Sequence, residues 1–448
     1  MIFQPHEYQL EAVKFLLGQR HAGLLLDMGL GKTAISLHTL SLLIAEGHVK
    51  KVLLIAPIRT LYTVWPNEIK KWDNFQHITY HNWHESGTYA PDANIIGVNP
   101  ETALSLMRSK ALFKMGVDLL IIDESSTFKN SSSQRFKEIK KGLHVFPRRW
   151  ILTGTPAPNG LEDIWSQIYL LDRGQALGEY ITHFRNSYCV PSYDGYSYTV
   201  IPHYKELIYQ KIAHLVLRMS AKDHLDMPAI VYNSIPVKLD AKAMAAYKEM
   251  ERQFILLLES GETIYSPNAA VAGGRCRQIA NGGIYRADGT AEHLHTAKMT
   301  ALKEIVEELQ GQPLLVFYEF IHDVHRIKEA LGDVPNLTSS KHPDQLINEF
   351  NAGKHPVLIG HPATIGIGLN LQGACSHICW VGVPWDLGLY DQANARVYRQ
   401  GQEADRVIVH HLVAEGTLDE KVLKALSVKG REQNDLLEAI ERIRSEHK

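Results

Sequence analysis

Cysteines and long apolar runs are scarce in this sequence. Its 448 residues include four cysteines, none of them in a CxxC pair, so neither a disulfide framework nor a zinc ribbon is indicated. No apolar run approaches the roughly 18–20 residues that cross a bilayer. The opening segment MIFQPHEYQL also lacks the charged and apolar parts of a signal peptide. We therefore expect a soluble protein of a reducing compartment that does not insert into membranes.

An excess of charge of either sign is also missing. Lysine and arginine number 47 against 49 aspartates and glutamates, which gives a formal net charge of −2. This balance excludes a polybasic protein, although a local basic patch would still be able to bind nucleic acid. Apolar residues make up 45% of the chain, enough for packed cores, and the length indicates roughly two to three domains.

Short, continuously apolar runs alternate with helical stretches in two parts of the chain. Strands of this kind between helices are typical of a parallel sheet that is covered on both faces. Nine runs are predicted to be strands: 22–26, 51–57, 94–98, 118–123, 149–155, 313–319, 356–362, 377–384 and 406–413.

Helical signals dominate between these two parts, from about residue 161 to about 295. We therefore predict an α/β fold with two parallel-sheet lobes and helical insertions between them. The N-terminal lobe is expected to span residues 1–228, with a helical insertion after about residue 161. Residues 229–448 are expected to hold a second insertion at about 236–295, followed by the C-terminal lobe. Its C-terminal helices are expected to be broken near Gly430.

The segment DMGLGKT, residues 27–33, lies between a predicted strand and an amphipathic helix. A glycine-rich turn in this context presents backbone N–H groups and a helix N-terminus to phosphate. Lys32 is expected to reach the β- and γ-phosphates, and the Thr33 hydroxyl is expected to bind magnesium. The strict pattern would have glycine where Leu26 stands, and a chance glycine turn is the alternative. The predicted phosphate-binding residues are Met28, Gly29, Leu30, Gly31, Lys32, Thr33 and Ala34.

A pair of carboxylates follows the apolar run DLLII. Asp123 emerges from a predicted parallel strand in the same lobe as the phosphate loop, where it is expected to hold Mg²⁺ directly or through water. Glu124 is then the candidate that polarises the attacking water. Without the phosphate loop, a solvated turn would be the better interpretation of such a pair.

Four segments of the first lobe together resemble the successive motifs of superfamily-two, helicase-like ATPases. They are most similar to the Swi/Snf-type branch, the double-stranded DNA translocases. The resemblance implies two tandem RecA-like lobes, ATP as the nucleotide and Mg²⁺ as its metal. The four segments are DMGLGKT (27–33), LLIAPIRTLYTVWPNEIKKW (53–72), DESSTFKN (123–130) and LTGTPAPNG (152–160).

Two details of the first lobe bear on this resemblance. The family's second motif usually reads Asp-Glu-Ala-His, whereas Ser125 and Ser126 follow the two carboxylates here. The change leaves in question the coupling role that the family assigns to the histidine. The segment QPHEYQL resembles the family's amino-terminal motif, which implies that Gln9 reads adenine; a surface glutamine is the alternative.

The second lobe carries segments that resemble the remaining motifs, and two arginines near its end matter most. Arg396 and Arg399 are three residues apart, which places them on one face if the segment is helical. The resemblance implies that both are arginine fingers for the γ-phosphate, a large contribution in phosphoryl transfer. The alternative is a helix with two solvent-facing arginines. The segments are LLVFYEF (314–320), GHPATIGIGLNLQGA (360–374) and QANARVYRQGQ (392–402).

Nucleotide and DNA contacts in the second lobe follow from the same resemblance. Gly368 and Gln392 are implied to complete the nucleotide site, and Gly366, Gly368 and Asn370 to link it to the DNA groove. The alternative for these glycines is a packing turn.

A DNA track is expected along both lobes. Arg59 and Thr60 in the first lobe, and Thr364 and Gly366 in the second, are expected to contact backbone phosphates. Phosphate contacts carry no sequence information, so the expected partner is DNA of any sequence, double-stranded or branched. No accessory domain is recognisable, which suits a monomeric, minimal bacterial or phage protein in the cytoplasm, or a nuclear one if the source is eukaryotic.

The leading hypothesis is an ATP-dependent translocase that moves along duplex DNA and remodels DNA structures or protein–DNA complexes. One rival is a strand-separating DNA or RNA helicase. Another is a nucleotide-switched DNA-binding regulatory subunit without turnover. The presence of Lys32, Asp123, Glu124, Arg396 and Arg399 together favours hydrolysis, since a switch does not require the full hydrolytic set.

Overall fold

The computed structural model describes residues 1–191, 198–259, 267–365 and 369–446. The strands are β1 His21–Leu26, β2 Val52–Ile55, β3 Tyr80–Asn82, β4 Ile95–Val98, β5 Leu119–Asp123, β6 Arg148–Thr153, β7 Cys189–Pro191, β8 Tyr198–Val200, β9 Val216–Met219, β10 Ala229–Val237, β11 Gly283–Tyr285, β12 Ala291–His293, β13 Leu314–Phe317, β14 Val357–Gly360, β15 His377–Trp380 and β16 Arg406–Ala414.

Helices connect most of these strands. They are α1 Glu7–Gly18, α2 Lys32–Ala45, α3 Ile58–Lys71, α4 Trp83–Ser86, α5 Pro100–Arg108, α6 Gln134–Gly142, α7 Asp163–Asp172, α8 Ile181–Tyr188, α9 Lys205–Ile212, α10 Ala221–His224, α11 Ala241–Glu259, α12 Pro267–Asn281, α13 Ala297–Glu308, α14 Ile321–Leu331, α15 Pro343–Asn351, α16 Pro362–Ile365, α17 Leu387–Asn394 and α18 Leu418–Glu446.

The first structural unit comprises Met1–Val190, Tyr198–Leu225 and the chain from Lys429 onward. Its sheet has the order β3-β4-β2-β5-β6-β1-β9, and every neighbouring pair is parallel. The strands at its centre are buried along nearly their whole length, as expected for a sheet with helices on both faces. The carboxyl ends of these strands therefore share one edge, where ligands of open parallel sheets bind.

The second structural unit includes Asp226–Val428. Its sheet has the order β10-β16-β15-β13-β14 and is also entirely parallel. The prediction of an α/β fold with two parallel-sheet lobes is confirmed, and each of the nine apolar runs overlaps a strand.

Among the sheet strands that were not predicted, β9 and β10 lie in the region where helical signals dominate. Strand β9 has only four residues and includes Arg218, so it offers no apolar run. Strand β10 is at the edge of its sheet, and most of its side chains are exposed. Asn233, Ser234 and Pro236 interrupt its apolar residues, which an exposed edge strand tolerates, so the continuous apolar pattern of a buried strand is missing.

The C-terminal helix differs from its prediction in two ways. It runs through Gly430 without a break, as helix α18. Its residues from Lys429 onward belong to the first unit, whereas the predicted division put the C-terminal helices with the second lobe. The physical reason is an apolar stripe: Leu436, Leu437 and Ile440 are buried in the core of the first unit.

Candidate functional site

The turn between β1 and α2 has the geometry of a phosphate loop. Strand β1 ends at Leu26 and helix α2 begins at Lys32. Gly29 and Gly31 have φ angles of 90° and 80°, in the left-handed region that favours glycine. A Cβ atom on Gly31 would lie 2.7 Å from Nε2 of Gln9, so a side chain there would displace the Gln9 amide.

Gln9 is buried against this loop. The residue is 6% exposed, its Nε2 donates to the Leu30 carbonyl at 3.3 Å, and its Oε1 accepts from the His6 N–H at 3.0 Å. It is therefore no surface glutamine. Its predicted role, reading adenine, stays a prediction.

Lys32 starts helix α2 and folds its ammonium group back over the end of β1. Nζ donates to the Leu26 carbonyl at 2.7 Å and to the Asp27 carbonyl at 3.4 Å. The LTGTPAPNG segment approaches from the neighbouring strand β6, because a Cβ atom on Gly154 would lie 3.6 Å from Nζ. The ammonium group is thus held among backbone carbonyls at the strand ends. Of the next two predicted phosphate-binding residues, Thr33 is half-buried and Ala34 is buried.

Asp123 is the last residue of β5 and is largely buried, at 8% exposed. The indole Nε1 of Trp65 donates to its Oδ2 at 3.0 Å. Burial raises the pKa of the Asp123 carboxyl, while the Trp65 hydrogen bond and the charge of Lys32 oppose that rise. Lys32 begins the helix that follows β1 and Asp123 ends β5, so both lie at the carboxyl edge of the same sheet. Glu124 follows with a φ of 59°, a left-handed conformation that is uncommon for a non-glycine residue.

A hydrogen-bonded chain joins the acidic strand end to the loop after β6. The hydroxyl of Ser125, a fully buried residue, donates to Oε1 of Gln167 at 2.8 Å. Nε2 of Gln167 donates to the Pro156 carbonyl and, at 3.1 Å, to the Asp163 carbonyl. Ser125 stands where the family motif carries alanine, so this contact exists because of that departure.

The donor set fits Mg²⁺ bound together with a nucleotide. Thr33 and Asp123 offer the hard oxygen ligands that Mg²⁺ prefers, and the metal usually takes its remaining ligands from phosphates and water. Among the described residues, no group of three or more His, Cys, Asp or Glu side chains is placed to hold a metal ion.

The two arginines of the second unit do not lie on a helix, so that part of the prediction is wrong. Helix α17 ends at Asn394, and Arg396 and Arg399 follow in the next turns. The pair nevertheless converges: Nη1 of Arg396 lies 3.3 Å and Nη1 of Arg399 lies 3.4 Å from the Leu369 carbonyl oxygen. Arg399 also donates to Oδ1 of Asn370.

Burial further distinguishes this arginine pair from surface cations. Both side chains are half-buried, and burial lowers the pKa of the Arg399 guanidinium. Gln392 is close by, since its carbonyl accepts from Nε of Arg396 at 3.1 Å. The two arginines of the second unit are therefore not solvent-facing, in contrast to the alternative interpretation.

The predicted DNA-contact residues differ in how exposed they are. Arg59 is half-buried in the first turn of α3, and Thr60 beside it is only 7% exposed. Thr364 is half-buried in the short helix α16. Gly366 and Gly368 lie outside the described residues.

Sequence patterns missed two residues of the first unit's site, Trp65 and Gln167. Trp65 lies inside the quoted 53–72 segment, where nothing distinguishes it from a core aromatic. Gln167 did leave a signal, because it is the one amide in the apolar stretch IWSQIYLL of helix α7. Buried amides need hydrogen-bond partners.

None of the helices in the described parts of the chain is both long enough and apolar enough to cross a membrane.

Comparison with known proteins agrees with these features. Residues 8–281 match the family model of the SNF2-related domain, and residues 297–401 match that of the helicase conserved C-terminal domain. A putative protein p41 of Acyrthosiphon pisum secondary endosymbiont phage 1 is 33% identical, over 98% of this chain and 99% of its own. A putative ATP-dependent helicase/translocase of Bacillus subtilis, YwqA, is 26% identical over 93% of this chain and 47% of its own. The chain thus spans less than half of that bacterial relative.

Among solved structures, a Sulfolobus solfataricus SWI2/SNF2 ATPase core in complex with dsDNA is 24% identical, with a TM-score of 0.46. The match covers 97% of this chain and 95% of that one.

Proposed function

The chain belongs to the SNF2-related family of helicase-like ATPases, and on that premise we propose that it uses ATP and Mg²⁺ to move along double-stranded or branched DNA. The observation that carries the proposal is that Lys32 and Asp123 both lie at the carboxyl edge of one parallel sheet. A lysine from a phosphate loop and a carboxylate at a strand end are the two elements that hold a nucleotide and its metal in P-loop enzymes.

Each residue of the first unit has a separate task in the proposed hydrolysis. Lys32 exchanges its backbone carbonyl partners for the β- and γ-phosphate oxygens. Asp123 and Thr33 hold Mg²⁺, which neutralises charge on the phosphates when bound. Glu124 accepts a hydrogen bond from the attacking water and orients it towards the γ-phosphate. Gln9, packed against the loop, reads the base.

The second unit supplies positive charge to the departing phosphoryl group through Arg396 and Arg399. In related phosphoryl-transfer enzymes, such arginines raise kcat about 10³–10⁵-fold. Burial of Arg399 supports this role, because a partly desolvated guanidinium interacts more strongly with a phosphate than a fully hydrated one does. Gly368 and Gln392 belong to the same proposed nucleotide contacts.

DNA is the proposed activator of hydrolysis. The support is the resemblance of several motifs to those of DNA translocases, together with the similarity to the putative ATP-dependent helicase/translocase of Bacillus subtilis. Arg59, Thr60, Thr364 and Gly366 are the proposed contacts to backbone phosphates.

The test compares ATP hydrolysis with duplex, forked, single-stranded and RNA cofactors, at equal nucleotide concentration. We expect duplex or branched DNA to stimulate the rate most, and Lys32→Ala to remove hydrolysis with all four. Stimulation by RNA alone would overturn the choice of DNA. ATP binding without turnover under all conditions would instead favour the regulatory-subunit alternative.

A further inference from the structure

Asn351 lies outside every quoted motif. Its side chain contacts the loop that hydrogen-bonds the two arginines. It is the last residue of helix α15. Its Nδ2 donates to the Asn370 carbonyl at 2.9 Å, and its Oδ1 accepts from the Gly373 N–H at 3.1 Å. One side-chain amide therefore closes the loop across three residues, satisfying a backbone acceptor and a backbone donor at once.

The same loop provides the acceptors of the arginines. Nη1 of Arg396 and Nη1 of Arg399 both lie within 3.4 Å of the Leu369 carbonyl, and Arg399 also donates to Oδ1 of Asn370. The loop is tied back once more, because the Leu371 N–H donates to the Arg396 carbonyl at 3.0 Å. The position of this loop therefore sets the positions of the two arginine side chains.

Close packing makes the contact between Asn351 and the loop specific. A Cβ atom on Gly373 would lie 2.9 Å from Cβ of Asn351, too close for any side chain at that position. Helix α15 and the loop therefore approach each other only because residue 373 is glycine.

We propose that Asn351 is a positioning residue for ATP hydrolysis, which acts by fixing the 369–373 loop and, through Asn370, the guanidinium of Arg399. The inference rests on the proposed function of Arg399. Asn351 itself touches no reacting atom. Its contribution is to hold a charged group in the geometry that the transition state needs. Displacement of that group by about 1 Å would lower the rate of hydrolysis substantially.

The test uses the full chain and compares Asn351→Ala with Asn348→Ala. Asn348 is exposed on the same helix, so its replacement controls for loss of an amide from α15. We expect Asn351→Ala to lower kcat of DNA-stimulated hydrolysis by ~10-fold with an unchanged KM for ATP. Asn348→Ala should match the unsubstituted protein. An unchanged kcat in Asn351→Ala, where Arg399→Ala is impaired, overturns the proposal.

A double substitution separates positioning from general instability. In an Arg399→Ala background, Asn351→Ala should cause a smaller fold loss of kcat than it does alone, because one of the two arginines that the loop holds is gone. If the two losses multiply instead, Asn351 does not act through Arg399 and the proposal is wrong. If Arg399→Ala alone hydrolyses ATP at the unsubstituted rate, the arginine assignment fails first, and the positioning role fails with it.

Gly373→Ala provides a second route to the same contact. The added methyl group displaces the Asn351 side chain without removing it, so we expect the same fall in kcat and the same lack of additivity with Arg399→Ala. A Gly373→Ala protein with normal kcat would contradict the proposal even if Asn351→Ala failed to fold.

Discussion

At the scale of single residues, Asp123 shows how burial and charge compete at one carboxyl group. Burial alone would raise its pKa and favour the neutral acid, which binds metal poorly. Lys32 and the Trp65 indole oppose that rise. On balance the pKa stays above its ordinary value, so a cation bound beside this carboxyl would favour the charged form that a metal ligand requires.

Lys32→Ala and Glu124→Gln should impair hydrolysis in different ways. Lys32→Ala removes a phosphate contact, so ATP binding and hydrolysis should both be lost. Glu124→Gln keeps the phosphate loop but removes the base that orients water, so ATP should still bind while kcat falls ~100-fold or more. Equilibrium binding of a fluorescent ATP analogue, measured beside steady-state hydrolysis, checks both expectations. Hydrolysis at the unsubstituted rate by Glu124→Gln would remove Glu124 from the mechanism.

Glu319 gives the stability of the protein a dependence on pH. Burial raises the pKa of its carboxyl to about 7, although Nη1 of Arg277 lies 2.6 Å from its Oε1 and opposes the rise. Because this pKa is above its ordinary value of 4.5, the folded state binds the proton more tightly than the unfolded state does. The stabilisation is therefore present at low pH and is lost as the pH rises from about 4.5 to about 7.

Glu319→Gln should remove this dependence. Relative to the unsubstituted protein, its free energy of unfolding should rise by up to about 3 kcal/mol between pH 5 and pH 8. Denaturant unfolding at both pH values checks the sign. Glu403→Gln, a change at an exposed glutamate of the same unit, serves as the control. An equal response of both variants to pH would show that Glu319 is not responsible.

At the scale of elements, the contact between Ser125 and Gln167 joins the end of β5 to helix α7 and, through the Pro156 carbonyl, to the loop after β6. The family's histidine at the position of Ser126 is absent. The buried serine beside it provides a connection between the acidic pair and that loop.

Ser125→Ala should weaken this connection. It leaves Oε1 of Gln167 buried without its donor, which costs about 1–3 kcal/mol of stability. We also expect a lower kcat with little change in KM for ATP, because the loop after β6 is less firmly held while the phosphate loop is untouched. Ser126→Ala is the matched control and should change both quantities less. The opposite order of effects would show that coupling depends on Ser126.

Elements also differ in how well sequence patterns revealed them. The nine apolar strands were predictable because burial on both faces requires apolar side chains at every position. Strand β10 was not, because an edge strand with exposed side chains obeys no such requirement. Helix α18 was assigned a break at Gly430 on propensity, yet packing of its later residues in the first unit's core outweighs the roughly 1 kcal/mol cost of one helical glycine.

At the scale of the whole molecule, the proposed activity predicts a characteristic relation to DNA. Contacts to phosphates alone make movement indifferent to sequence, and they weaken with salt because counterions are released on binding. We expect the protein to displace a triplex-forming third strand in an ATP-dependent manner, without melting a long blunt duplex. DNA affinity should fall by about tenfold or more between 50 and 200 mM salt.

Lys32→Ala is the control for ATP dependence in this assay. Efficient separation of the blunt duplex would replace the translocase proposal by that of a strand-separating helicase. Equal displacement with and without ATP would show that binding alone removes the third strand.

The sequence by itself determined the fold class, the family and the order of the motifs, because these depend on local patterns. An apolar run forms a buried strand, and a glycine-rich turn between strand and helix binds phosphate, wherever the rest of the chain lies. Contacts between distant segments were decided only by the tertiary structure. Trp65 meets Asp123 across 58 positions, and Arg399 meets the Leu369 carbonyl across 30. No local pattern encodes such pairs, because they form only after the sheets have brought their loops together.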